Sequence, residues 1–133
     1  MKIRKSLSIL LALMMLLSAS MISAFAENMD GDYEIMPCFT TINTVSTSFT
    51  INGLNSTSFA SVSAKYSTSL YIKIELQKEK SSGYETIETW TKSGTGTYLG
   101  LEETRLINVF SEYRIKVTCT AGGETHVKYD YPD

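Results

Sequence analysis

The sequence has 133 residues and a formal net charge of −2, from 14 acidic and 12 basic residues. This length suits a single domain. The acid excess, without a basic cluster, disfavours a nucleic-acid partner, because phosphate contacts dominate that kind of binding. Two cysteines and one histidine are too few for an ordinary metal centre, so we expect neither a metal nor a cofactor.

The N-terminal 26 residues contain the three parts of a secretory signal peptide. A basic stretch, 2–5, precedes an apolar run, 7–17, and the small-residue tripeptide Ala-Phe-Ala that ends at Ala26. A transmembrane anchor is the alternative, but the strongly apolar run is about half the 20 or so residues that a spanning helix needs. We predict cleavage between Ala26 and Glu27, secretion to the extracellular space, and no stable membrane anchor afterwards.

The chain beyond the signal peptide divides into a short lead-in and one domain. It keeps all 14 acidic but only nine of the 12 basic residues, for a net charge of −5. Residues 27–37 are acidic and poor in apolar side chains, which predicts a flexible lead-in. Residues 38–133 carry recurrent β-branched and aromatic residues, a composition that favours strands. We therefore predict one β domain over 38–133.

Apolar residues in this domain recur at every second position, the period of a strand. The clearest case is 70–77, which a turn at 80–83 joins to a second strand at 84–91 as a hairpin. Gly-rich or polar turns separate the strands at about 8–12-residue spacing, which indicates a β-sandwich. The seven or eight predicted strands are one or two within 38–45 and 47–52, followed by 61–66, 70–77, 84–91, a short strand at 98–101, 113–119 and 127–131. Residues 93–97 are predicted to be a flexible loop, and 106–110 form a further apolar segment.

The segment Tyr113-Arg-Ile-Lys-Val-Thr-Cys119, with its Gly-Gly turn and Glu124, resembles the penultimate strand of immunoglobulin-like and fibronectin type III-like sandwiches. The resemblance implies that the Tyr113 hydroxyl bonds back to the preceding loop as a tyrosine corner. The whole layout is similar to small secreted proteins of Gram-positive bacteria. It implies an immunoglobulin-like antiparallel β-sandwich of about 7–8 strands, preceded by a signal-peptide helix, and leaves the activity open. Trp90 departs from the core Trp position of both named families, and Cys38 and Cys119 do not have antibody-like spacing because Cys38 precedes the first strands.

The predicted core and the cysteines set the expected packing. In an oxidising compartment Cys38 and Cys119 are expected to form a disulfide, which would contribute roughly 4 kcal/mol through a loop of about 80 residues. Two buried free thiols are the alternative. The predicted core comprises Val62, Ala64, Leu70, Ile72, Ile74, Leu76, Trp90, Leu106, Tyr113, Ile115 and Val117.

Residues with catalytic potential are few. His126, with Glu124 or Asp130 behind it, is the one candidate for a general base, but alternation places it on the solvent side of the last strand. Glu75, Glu88 and Glu112 are expected to meet Lys73, Arg114 and Lys116 in cross-strand ion pairs rather than to act as paired acids. We therefore predict no catalytic residue and no enzyme activity.

One sheet face is the candidate interaction site, because exposed Tyr and Arg are common in recognition surfaces. An ordinary solvated sheet face is the alternative. The leading functional interpretation is a non-catalytic binding module for an extracellular protein or glycan. A small antibacterial or host-directed effector and a hydrolase are the alternatives. The predicted partner face comprises Tyr71, Lys73, Glu75, Gln77, Arg114, Lys116, His126 and Lys128.

Overall fold

The computed structural model describes residues 38–133, and the predicted signal-peptide helix, cleavage site and lead-in lie outside them. Within this range the chain is all-β, as predicted. Its five antiparallel strands are β1 (Ile42–Asn52), β2 (Asn55–Lys80), β3 (Gly83–Leu106), β4 (Tyr113–Ala121) and β5 (Glu124–Asp130).

Strand β2 is 26 residues long and organises the sheet. Along one edge, the first part of β2 pairs with β1 and its last part pairs with β4. Strand β3 pairs with β2 along the other edge. The pairing of β2 with β3 is interrupted between Ser63 and Thr68. Strand β5 pairs with β4, and β1 contacts both β4 and β5. The sheet is therefore curled, so that its β1 end faces its β4–β5 end.

The core lies on the inner face of this curled sheet. Leu70, Ile72, Ile74 and Leu76 of β2 are buried there, as are alternate residues of β4 from Tyr113 to Ala121. Phe49 of β1 is fully buried and closes the core from the opposite side. Strands β2 and β4 each place alternate side chains on the inner face, and together they supply most of the apolar interior.

The strand count differs from the predicted seven or eight because two strands continue through positions that the sequence marks as breaks. Residues 93–97, predicted to be a loop, belong to β3, and 61–66 and 70–77 are parts of one β2. Gly96, with a φ of 153°, lets β3 bend without ending. Leu106, predicted to be core, is 70% exposed, and Trp90 is only partly buried. The other nine predicted core residues are buried.

The predicted disulfide is absent from the structure. Cys38 is exposed and Cys119 is buried, and both are free thiols. Cys119 lies on the inner face of β4, where its pairing with Ile72 and His126 holds it within the core. The even cysteine number was therefore a misleading signal.

Two basic side chains cover carbonyl oxygens along β3. Lys92 Nζ donates to the Gly100 carbonyl at 2.9 Å, and Arg105 Nη1 donates to the Ile87 carbonyl at 2.9 Å. Arg105 also pairs with Glu88 at 3.1 Å. Each contact spans the bend of β3, so the two halves of this strand are tied together on the side away from β1.

The opposite side is closed by Glu124 at the start of β5. Its carboxylate accepts hydrogen bonds from the backbone N–H groups of Thr40, Thr41 and Ile42 at 2.7–2.9 Å, and from the Thr40 hydroxyl. These donors, led by the Thr40 hydroxyl, lower the pKa of Glu124 to about 2. One carboxylate thus joins the start of β1 to the start of β5.

The connection between β3 and β4 is a turn fixed by Tyr113. The Asn108 N–H donates to the Tyr113 hydroxyl at 3.0 Å, the Asn108 Oδ1 accepts from the Phe110 N–H, and the Ser111 N–H donates to the Asn108 carbonyl. Tyr113 itself is buried. The hydroxyl therefore makes the backward bond to the preceding loop that the resemblance implied.

Replacing Glu124 with Gln is expected to make the protein less stable, and the loss should depend on pH. Because the folded state holds this pKa below the ordinary 4.5, the charge stabilises the fold above about pH 4.5. That contribution disappears as the pH falls towards about 2. Urea unfolding of both proteins across this pH range should give curves that converge at low pH, whereas Glu102→Gln, at an exposed position, should show no such convergence.

Replacing Tyr113 with Phe removes only the hydroxyl that accepts from the Asn108 N–H. We expect a loss of about 1 kcal/mol in the free energy of unfolding, the ordinary size of one such hydrogen bond. Chemical denaturation measures the loss, and Tyr98→Phe, at a 63% exposed position, serves as the control. Equal stability of the two variants would show that the bond does not stabilise the turn.

Candidate functional site: the outer face of the sheet

The outer face of the four-stranded part of the sheet collects six of the eight predicted partner-face residues. Residues directly opposite each other in paired strands point to the same side. Tyr71 pairs with Thr120, Lys73 with Thr118, Glu75 with Lys116, and Gln77 with Arg114. Four residues of β2 and two of β4 from the predicted set therefore share this face: Tyr71, Lys73, Glu75, Gln77, Arg114 and Lys116.

His126 and Lys128 lie on the other side of the sheet. His126 pairs with the buried Cys119, and Lys128 pairs with the buried Val117. The prediction that His126 and Lys128 face solvent with Arg114 and Lys116 is therefore wrong.

The cause of this reversal is the edge position of β5. Its inner side does not need apolar residues, because Glu124 bonds the start of β1 and the His126 ring meets the Phe39 ring edge-on, with centroids 5.6 Å apart. Its outer side presents Val127 and Tyr129, which are 45% and 44% exposed. Alternation gave the period of this strand but not which set points inward.

An arginine–tyrosine cluster lies at one end of the outer face. The Arg114 guanidinium carbon is 3.8 Å from the ring centroid of Tyr84 and 4.4 Å from that of Tyr129. Arg114 Nε donates to Gln77 Oε1 at 2.8 Å, and Nη1 donates to the Tyr131 hydroxyl at 3.4 Å. Each contact limits the rotamers of a long side chain, so the cluster is pre-organised.

Gln77 aligns this cluster from β2. It is 8% exposed, and its Nε2 donates to the Thr86 hydroxyl at 3.2 Å while its Oε1 accepts from Arg114. A register shift between Leu76 and Gln77 brings Thr86 of β3 opposite Gln77. Residues from β2, β3, β4 and β5 thus meet at one place.

An open cleft of about 230 Å³ adjoins the cluster at the end of the sheet. Tyr84 and Tyr131 belong both to the arginine–tyrosine cluster and to the lining of the cleft. The cleft lining also includes the buried Tyr113, Ile51 of β1, and Ser111 and Glu112 of the β3–β4 turn, together with Pro132. Its wall is therefore largely aromatic and aliphatic, with one carboxylate.

Two carboxyl groups meet beside this cleft. A hydrogen bond with Glu112, and then the repulsion between the two charges, raises the pKa of Glu79. Burial first, and then the charge of Glu79, raises the pKa of Tyr84. The Tyr84 phenol is thus neutral at ordinary pH, and it can act as a hydrogen-bond donor.

The pairing of His126 with Cys119 does not form a nucleophilic centre. Burial raises the pKa of the Cys119 thiol to about 11, which keeps it protonated. Glu124, the carboxylate nearest in sequence, is occupied by the backbone N–H groups before β1. Among residues 38–133, no group of three or more His, Cys, Asp or Glu side chains is placed to hold a metal ion.

No helix in the part of the chain that the structure describes could serve as a transmembrane span. No protein-family model matches the chain, and no curated protein matches it.

The solved structures to which this chain is similar include the following two. The solution structure of R. palustris CsgH has 13% identity and a TM-score of 0.48, and the match covers 67% of this chain and 91% of that one. The E. coli curli protein CsgC has 18% identity and a TM-score of 0.42, with 65% and 95% covered.

Cys38 and Cys119 are both free thiols, but only Cys38 is exposed, so we expect the two to differ sharply in reactivity. A thiol reagent added to the native, reduced protein is expected to modify the exposed Cys38 quickly and the buried Cys119 only after unfolding. Mass spectrometry of proteolytic fragments measures each site. A Cys38–Cys119 bridge after air oxidation of the native protein would contradict this arrangement.

Proposed function

We propose that the protein is a secreted, non-catalytic binding module and that its recognition surface is the outer face centred on Arg114. The observation that carries the proposal is the guanidinium held between the Tyr84 and Tyr129 rings. Tyr and Arg dominate the binding energy of many interfaces, above all when their side chains are already ordered. The signal-peptide pattern of the first 26 residues supports secretion.

An extracellular protein fits this surface better than a glycan. The Tyr84 and Tyr129 rings each direct one side towards the guanidinium, which leaves less ring surface for stacking on a sugar. The remainder of the face carries spaced polar residues, Tyr71, Lys73 and Glu75, on a paired sheet. Such a mixture of aromatic and charged side chains around an ordered centre is typical of protein interfaces.

The groups that elsewhere would suggest catalysis have structural roles, which supports a non-catalytic module. Glu124 bonds the backbone before β1, and Cys119 is a protonated core residue. His126 contacts Phe39. A small effector that acts on membranes is less well supported, because the sequence from Glu27 onward has a net charge of −5.

Binding should be tested by substitution within the outer face. The purified protein and two variants, Arg114→Ala with Tyr129→Ala and the control Lys128→Ala with Tyr98→Ala, are applied to matched arrays of extracellular proteins and of glycans. Lys128 neighbours Tyr129 in β5 but lies on the opposite side of the sheet. We expect protein ligands whose signal falls at least about tenfold in the first variant and is unchanged in the control.

Three outcomes of this test would contradict the proposal. One is binding to glycans alone, which would replace the partner class. Another is equal binding by the two variants, which would remove the outer face as the surface. The third is no ligand on either array for a folded protein, which would remove the binding module itself.

A further inference from the structure

Phe110 is the most exposed large apolar side chain of the described residues, with 94% of its surface open to solvent. It lies on the turn between β3 and β4, in which its own N–H donates to Asn108 Oδ1 and the Ser111 N–H donates to the Asn108 carbonyl. The turn is anchored to the core through the Tyr113 hydroxyl. An apolar ring held outward by a bonded turn costs free energy in water unless a partner covers it.

The open cleft begins at the residue that follows Phe110 in the chain. Ser111 and Glu112 line it together with Ile51, Tyr84, Tyr131 and Pro132. A hydrogen bond from the Asp133 N–H to the Phe49 carbonyl at 3.3 Å holds the end of the chain against β1, beside Pro132. The cleft, at about 230 Å³, is large enough for one phenyl ring and has the aromatic lining that such a ring prefers.

We propose that two copies of this chain form a reversible dimer in which Phe110 of each copy enters the cleft of the other. A projecting ring and a receiving cleft, side by side on one molecule, can satisfy each other across a two-fold axis, because each copy gives and receives once. Val109, which is 51% exposed, lies beside Phe110 and widens the contact. The area available is small, so the dimer is weak.

Other occupants fit the same surface less well. A bilayer fits less well because the sequence from Glu27 onward has a net charge of −5, which an anionic lipid surface repels. The cleft of the same molecule does not take the ring, because the bonded turn holds Phe110 almost fully exposed. This dimer covers Tyr84 and Tyr131, which also belong to the Arg114 cluster, so a dimer and a partner bound at that cluster would compete.

The dimer is tested by measuring the self-association of the purified protein. Sedimentation over a wide concentration range should show a monomer–dimer equilibrium for the native chain. Phe110→Ser should weaken the dimer by more than about tenfold, because it removes both inserted rings. Tyr98→Ser, which removes an exposed aromatic ring from β3, should behave like the native protein. Association should strengthen as salt is added, since salt screens the repulsion between the Glu112 carboxylates.

A second measurement separates the dimer from rearrangement within one molecule. In a mixture of isotope-labelled and unlabelled protein, filtered NMR spectra should show contacts between Phe110 of one copy and Tyr131 of the other. Contacts within one molecule only would overturn the proposal. So would a monomer at every concentration, or equal weakening by Phe110→Ser and Tyr98→Ser. These outcomes are distinguishable from those of the outer-face test, because Phe110→Ser leaves every residue of the Arg114 cluster in place.

Discussion

The continuous pairing of β2 on both edges is the constraint from which the rest of this structure follows. Since β1 and β4 occupy successive parts of one edge, and β3 follows the other, the sheet cannot separate into two independent layers. It can only curl, with the interruption between Ser63 and Thr68 providing the place to bend. The core is then the concave side, and the outer face is the convex side of the same strands.

The sequence predicted the parts of the fold that depend on local alternation. The period-two patterns at 70–77 and 113–119 identified the strands that supply most of the core, and nine of eleven predicted core residues are buried. Strand continuity was not predictable in the same way. Gly94 and Gly96 look like a turn in the sequence, yet the hydrogen bonds offered by β2 keep β3 extended through them.

The outer face and the Arg114 cluster depend on the pairing between strands, which cannot be read from the sequence. Six outer-face residues could be grouped from alternation alone, but the Arg114 cluster also needs Tyr84 and Tyr129, which only the register brings to the guanidinium. The predicted solvent-facing side for His126 is wrong because an edge strand can turn its polar residues inward and its apolar residues outward. Glu124 gave one usable signal, an acid directly after the Gly-Gly turn, but its backbone partners lie more than 80 positions away.

Strand β3 has a free edge along 24 residues that pair only with β2 among the described elements, and it contains no proline. Such an edge is a template on which further chains can stack as strands. Lys92 and Arg105 occupy the carbonyl groups of Gly100 and Ile87 with ammonium and guanidinium nitrogens. An incoming strand would have to displace these cations and leave their charge beside its own backbone. Two basic side chains therefore make strand addition at these two positions of the long edge less favourable.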